Sequence, residues 1–262
     1  EAAKVAQMIV AETLSKTFSQ QEGVGFKAID NLSLTIFKGE KVGIVGSTGC
    51  GKSTFLRIVL GVEQPSSGKL LIDGKEPYRH YSEFKGRISA VFQEDRLLPW
   101  RTAIENVVIG LEIMGVEKKT AFEKAMEWLN RLGLEKFAKA YPSELSGGMR
   151  QRVAIARALI LNPEIILLDE AFGHLDEVTS RKLRADFFNI LSDSKAIVVM
   201  VTHNLDEALE SVDRIVVFGK PAKVLGDFKT DEYQRPRLKK LIQHLIETNK
   251  PFNLVQSGLG KV

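Results

Sequence analysis

Short apolar runs alternate along this chain with stretches of helical spacing. Val42-Gly43-Ile44-Val45 enters a glycine-rich turn, and Ser53 to Leu60 reads as a helix stopped by Gly61. Ile165-Ile166-Leu167-Leu168 is a second apolar run and Ile197 to Val201 a third. Uninterrupted runs of this kind suit parallel strands covered on both faces. In such sheets ligands bind where strand ends meet helix starts. From about Thr102 to Leu161 the spacing is mostly helical; Phe122, Met126, Leu129 and Leu132, with Ala125, predict a core-facing stripe closed by Gly133. The first stretch, to about residue 40, and Gly68–Ile72 read as antiparallel strands, and Leu238, Leu241, Ile242 and Leu245 mark a late amphipathic helix before a polar tail.

Composition narrows the class. With 262 residues, 44% apolar and 27% charged, the chain has ordinary globular make-up, which excludes wholesale disorder and collagen-like structure. Its 37 basic and 33 acidic residues leave a net charge of +4, which permits an acidic partner without demanding one. The single cysteine, Cys50, cannot form an internal disulfide, so a reducing compartment is expected. No apolar run approaches the ~18 residues of a membrane span. The segment Ala2 to Ala11, broken by Lys4 and Gln7, is too weak for a signal peptide. These features predict a soluble protein.

The chemistry concentrates in three segments. Gly46-Ser47-Thr48-Gly49-Cys50-Gly51-Lys52-Ser53 fits G-x-x-x-x-G-K-[ST], the phosphate loop. Its glycines let backbone N–H groups curl around phosphate oxygens, Lys52 supplies charge to the β and γ phosphates, and the Ser53 hydroxyl can bind Mg²⁺. Thr54 continues the binding segment into the helix, whose positive end faces the same anion. In the second segment, Asp169 and Glu170 end the run from Ile165. Asp169 is placed to hold Mg²⁺ through water and Glu170 to act as general base on an attacking water. The third is Leu145-Ser146-Gly147-Gly148-Met149 before a strong helix. Ser146 reads as an N-cap, and the two glycines bare N–H groups at the helix's positive end. This second anion cradle either serves another copy's nucleotide or is a glycine-rich turn before a core helix.

In order and spacing, the phosphate loop, Leu-Ser-Gly-Gly, Ile-Leu-Leu-Asp-Glu and a later histidine resemble the ATPase subunits of ABC transporters, over residues from about 8 to 228. The resemblance implies an α/β fold: a P-loop NTPase (RecA-like) core with mixed sheet, an N-terminal antiparallel β subdomain and an inserted helical subdomain at about 95–160. The ATPase domain would span 1–228, leaving 229–262 as a C-terminal helix and tail. It implies ATP and Mg²⁺ as cofactors and a sandwich of two subunits, homodimer or paired, each phosphate loop facing the partner's Ser146, Gly147 and Gly148. Phe18 takes the place of the aromatic that stacks on adenine. Gln93 matches the glutamine that senses Mg²⁺ and the attacking water, Asp176 the aspartate that communicates across the dimer, and His203 the switch histidine at the γ-phosphate; His80 and His174 receive no catalytic role. Ala171 stands where many members have proline, His174 replaces a small residue, and Cys50 beside Lys52 is expected to be a reactive thiol whose alkylation blocks ATP binding.

The same resemblance implies a peripheral subunit at the cytoplasmic face of the membrane, docked on integral permease subunits through Arg96-Leu97-Leu98-Pro99-Trp100. A substrate-binding protein would take part indirectly, and nucleic acid is not an expected partner. Phe92 to Val108 looks most like importers of the nitrate, sulfonate and taurine group, with an exporter or a soluble ABC-type ATPase as alternatives. The 59 residues after His203 leave room for two strands and a helix.

Overall fold

The computed structural model describes residues 7–19, 25–173 and 175–252. In chain order come β1 (Gln7–Phe18), β2 (Phe26–Phe37), β3 (Lys41–Val45), α1 (Lys52–Val59), β4 (Ser67–Ile72) and β5 (Ile88–Phe92). Helices α2 (Ala103–Ile113), α3 (Lys118–Arg131) and α4 (Gly147–Leu159) follow, then β6 (Ile165–Asp169), α5 (Glu177–Ile190) and β7 (Ile197–Thr202). The chain continues through α6 (Leu205–Ser211), β8 (Arg214–Phe218), β9 (Val224–Lys229) and α7 (Arg235–Thr248). It forms two compact units, one from the residues up to Phe84 and from Ile197 onward, the other Lys85–Ala196.

In the first unit β1 pairs antiparallel with β2 on one side and β4 on the other, as the alternating burial of β2 requires. Beside them, β3 lies between parallel β7 and β8, and β9 closes that row antiparallel. All six residues of β7 and four of five in β3 are buried, the signature of strands covered on both faces. Helix α1 buries Phe55, whose ring meets Phe218 edge-on at 5.7 Å. Helix α7 buries the four expected apolar residues, and its Lys239 holds both carboxylate oxygens of Asp206 in α6 at 2.7–2.8 Å. Helix α6 was not anticipated; Asn204 starts it by accepting the Asp206 and Glu207 amides.

In the second unit β5 and β6 run parallel in strict register from Ile88↔Ile165 to Phe92↔Asp169. Helices α2, α3 and α4 pack on one another, and Thr102 with Glu105 forms a capping box at the start of α2. The stripe predicted for α3 holds at Ala125, Leu129 and Leu132 and is corrected by rotation at Phe122 and Met126. Ala121, Ala125 and Leu129 face inward, Phe122 is half-buried beneath Lys118, and Met126 is exposed. Two faces of the helix share the same spacing, and the small alanines admit the closer approach of neighbouring helices. Gly133, at φ +71, ends the segment as expected.

Candidate functional site

Within the first unit the phosphate loop joins β3 to α1. Gly51 precedes the helix with φ +110 and offers no capping side chain, and no acidic residue occupies the first turn, so the leading N–H groups of α1 are left for an anion. The two central turns depend on glycine. Gly49 sits at φ +72, and a Cβ on Gly51 would stand 2.3 Å from the Ala28 carbonyl oxygen. Lys52 is 5% exposed, and its Nζ donates to the carbonyls of Gly46 at 2.8 Å and Ser47 at 3.0 Å. The ammonium is thus held inside the loop's curve, where a phosphate would meet it. Ser53 is exposed and Thr54 half-buried on the first turn.

His203 belongs to the same assembly. Val45 pairs with Thr202 across β3 and β7, so Gly46 and His203 leave neighbouring strand ends together. The His203 backbone is bracketed by side-chain bonds: Thr202 Oγ1 donates to Glu207 at 2.9 Å and accepts the Asn204 amide at 3.0 Å. Phe18 ends β1, half-buried, with Lys16 Nζ 4.9 Å from its ring centroid. Cys50 departs from expectation. Its side chain is fully buried, 3.8 Å from Lys52 Nζ, and a thiol so enclosed is shielded from alkylating reagents.

Within the second unit, Gln93 and the Asp169–Glu170 pair follow adjacent, registered strand ends. Glu170 adopts φ +50, a left-handed backbone that costs a non-glycine residue about 1–3 kcal/mol and recurs at working sites. Its carbonyl accepts the Gly173 amide at 3.0 Å, and a Cβ on Gly173 would lie 3.6 Å from Gln93 Nε2, so the Gln93 side chain approaches this turn. Ser146 caps α4, accepting the Met149 amide at 3.3 Å, and Ser146 and Gly147 are exposed at that helix's start. Asp176 caps α5, accepting the Thr179 amide at 3.0 Å. That amide, and then the Thr179 side chain, hold its carboxyl below the ordinary carboxylate range. His174 lies outside the described residues.

Two residues were missed in the sequence. Gln151 is buried on α4, and its amide donates to the carbonyls of Phe92 and Ala171, tying the Gln93 turn to the Glu170 turn. Asn106, buried on α2, donates to the carbonyls of Leu98, Arg101 and Thr102 and accepts the Leu98 amide, fixing the Leu97–Trp100 loop. Each is a polar residue on an otherwise apolar helical face, which was the available signal. Of that loop's apolar residues, Leu97 turns inward whereas Trp100 is 70% exposed. Beside it, Gln93, Arg96, Arg150 and Leu175 line an open cavity of about 360 Å³.

The available donors suit Mg²⁺ in kind: a Ser53 hydroxyl, a Gln93 amide oxygen and an Asp169 carboxylate are all hard oxygen ligands. Among the described residues no group of three or more His, Cys, Asp or Glu could hold a metal ion. No helix among them is long and apolar enough to cross a membrane.

The family model described as ABC transporter matches residues 29–173. An uncharacterised ABC transporter ATP-binding protein of Methanocaldococcus jannaschii is 41% identical over 95% of this chain and 92% of its own length. An aliphatic sulfonates import ATP-binding protein of Bacillus cereus is 42% identical over 80% of this chain and 81% of that protein. A bicarbonate transport ATP-binding protein of Synechococcus elongatus is 38% identical over 87% and 82%. Among solved structures, a dimeric ATP-binding cassette in a post-hydrolysis state with ADP and Pi superposes with a TM-score of 0.77 at 34% identity, covering 85% of this chain and 99% of that one. The α/β P-loop NTPase fold with an antiparallel N-terminal sheet is therefore the fold of these cassettes. Matched in sequence across its length and in fold, the chain belongs to the ATP-binding subunits of ABC transporters, a family of ATPases.

Proposed function

We propose that this subunit hydrolyses ATP to energise import of a small solute, an oxyanion, a sulfonate or a similar compound. The observation that carries the reading is the uncapped, glycine-built entry to α1 with Lys52 Nζ inside its curve. In it Lys52 and the loop amides from Gly46 to Thr54 bind the phosphates, while Phe18 stacks on adenine. Ser53, Gln93 and Asp169 would hold Mg²⁺, which when bound offsets phosphate charge. Glu170 takes the proton of the attacking water, His203 steadies the γ-phosphate, and Gln93 orients the water. Family membership supports assigning these residues to one nucleotide. The solved cassette dimers support pairing of two subunits, in which Ser146, Gly147 and Gly148 cover the partner's nucleotide and Asp176 lies at the shared edge.

The solute class rests on the names of the sulfonate and bicarbonate relatives. Docking rests on Trp100, an exposed indole on a loop held rigid by Asn106, which suits an apolar helix of a permease subunit at the cytoplasmic membrane face. Trp100→Ala is expected to weaken co-purification with the membrane subunits about tenfold or more, far more than it lowers basal ATP hydrolysis. Equal recovery of the complex would remove Trp100 from the docking surface.

The direct test is ATP turnover by the purified chain, alone and with its membrane subunits captured on it as bait. Lys52→Ala should reduce hydrolysis to background. Unchanged turnover in that variant would overturn the reading. A binding protein recovered with the permease and loaded with sugar or peptide would overturn the solute class alone.

A further inference from the structure

The turn between β8 and β9 carries a lysine that the nucleotide reading does not use. Lys220 Nζ lies 3.5 Å from the Thr48 carbonyl oxygen, the outer limit of a hydrogen bond, and 3.7 Å from where a Cβ on Gly49 would stand. Thr48 and Gly49 are the exposed crest of the phosphate loop. Among the described residues Lys220 makes no ion pair, so its ammonium has only this weak partner. The turn is nonetheless rigid. Ala222 donates to Ala28 O and accepts from the Asp30 amide, both at 2.9 Å, and its Cβ lies 2.9 Å from where a Cβ on Gly51 would stand. From the other side, Asn249 clamps the Lys220 backbone: Oδ1 accepts the Lys220 amide and Nδ2 donates to the Lys220 carbonyl, each at 2.9 Å. Asn249 caps α7 at φ +53, and a Cβ on Gly219 would stand 2.5 Å from its Oδ1, so only glycine admits the clamp.

A cation rooted in a pinned turn, aimed at the rim of an anion cradle and weakly partnered, suits a ligand with negative charge above Gly49. We propose that Lys220 is a second cation contacting the polyphosphate of the bound nucleotide, and that Asn249 is its positioning residue. The inference rests on the nucleotide reading above and adds a residue to that site. It also gives α7 a role: its C-cap residue sets the reach of a phosphate-binding side chain.

The test is equilibrium binding of ATP, ADP and adenosine to the full chain and its variants, with thermal unfolding alongside. Lys220→Gln should weaken ATP and ADP about threefold to tenfold, leave adenosine and the unfolding temperature unchanged, and lose most of its effect at high salt; Lys220→Arg should restore binding. Asn249→Ala should show the same nucleotide pattern, and the double variant should be no worse than either alone. Unchanged ATP and ADP affinity in Lys220→Gln, or an equal loss for adenosine, overturns the phosphate contact. Additive losses in the double variant overturn the positioning role. Lys52→Ala keeps the two readings apart: if it abolishes ATP binding while Lys220→Gln does nothing, only the present inference fails, and if it binds normally the nucleotide site itself is wrong.

Discussion

Glu170→Gln is expected to bind ATP with near wild-type affinity, to fold normally, and to lose at least about 100-fold in kcat. The residue is half-buried at the end of a buried strand, in a left-handed backbone that Gln adopts at the same cost. The swap conserves size and reach and removes the negative charge together with the ability to accept a proton. A structural role would therefore appear as lost stability, a general-base role as lost turnover alone. Because ATP is no longer consumed, the paired ATP-bound form should accumulate, visible as a dimer on size exclusion with ATP and absent with ADP. Wild-type turnover would show the general base to be elsewhere, and a persistently monomeric variant would count against the two-subunit sandwich.

Gly51→Ala should be among the most damaging single-methyl changes in the first unit, and it strikes the phosphate loop. Two costs combine at this position. A left-handed alanine costs roughly 1–2 kcal/mol, and a Cβ 2.3 Å from a main-chain carbonyl and 2.9 Å from Ala222 Cβ forces backbone movement worth about 1–3 kcal/mol more. The carbonyl belongs to β2, paired in its sheet, so it is the phosphate loop that must give way. ATP binding should fall with stability. Gly74→Ala is the control: at φ +81 with nothing within 4 Å, it carries only the backbone cost and should leave ATP binding intact. Equal unfolding temperatures for both variants would show that the contact with Ala28 is not limiting.

Local chemistry makes much of this legible in the sequence. A phosphate loop is contiguous, so its glycines, lysine and hydroxyl are read from eight adjacent positions, and both flanking elements announce themselves by apolar run and helical spacing. Asp169 and Glu170 are similarly marked by the buried run before them. Periodicity, however, fixes the spacing of a face and not its rotation, so the expected stripe holds at Ala125 and Leu129, while Ala121 faces inward and Phe122 and Met126 do not. The same gap explains Leu-Leu-Pro-Trp: four consecutive residues divide between core and solvent according to a loop held by Asn106.

By itself, then, the sequence determined the strands, the phosphate loop, the acidic pair and the family, because each is written in neighbouring residues whose chemistry is local. Only the tertiary structure decided that Cys50 is enclosed, that Gln151 and Asn106 staple the turns around the site, and that Lys220, held by Asn249, reaches Thr48. Those contacts join residues up to 172 positions apart. No spacing rule along the chain encodes such a distance; it is set by how strands pair and which side chains the packed core leaves room for.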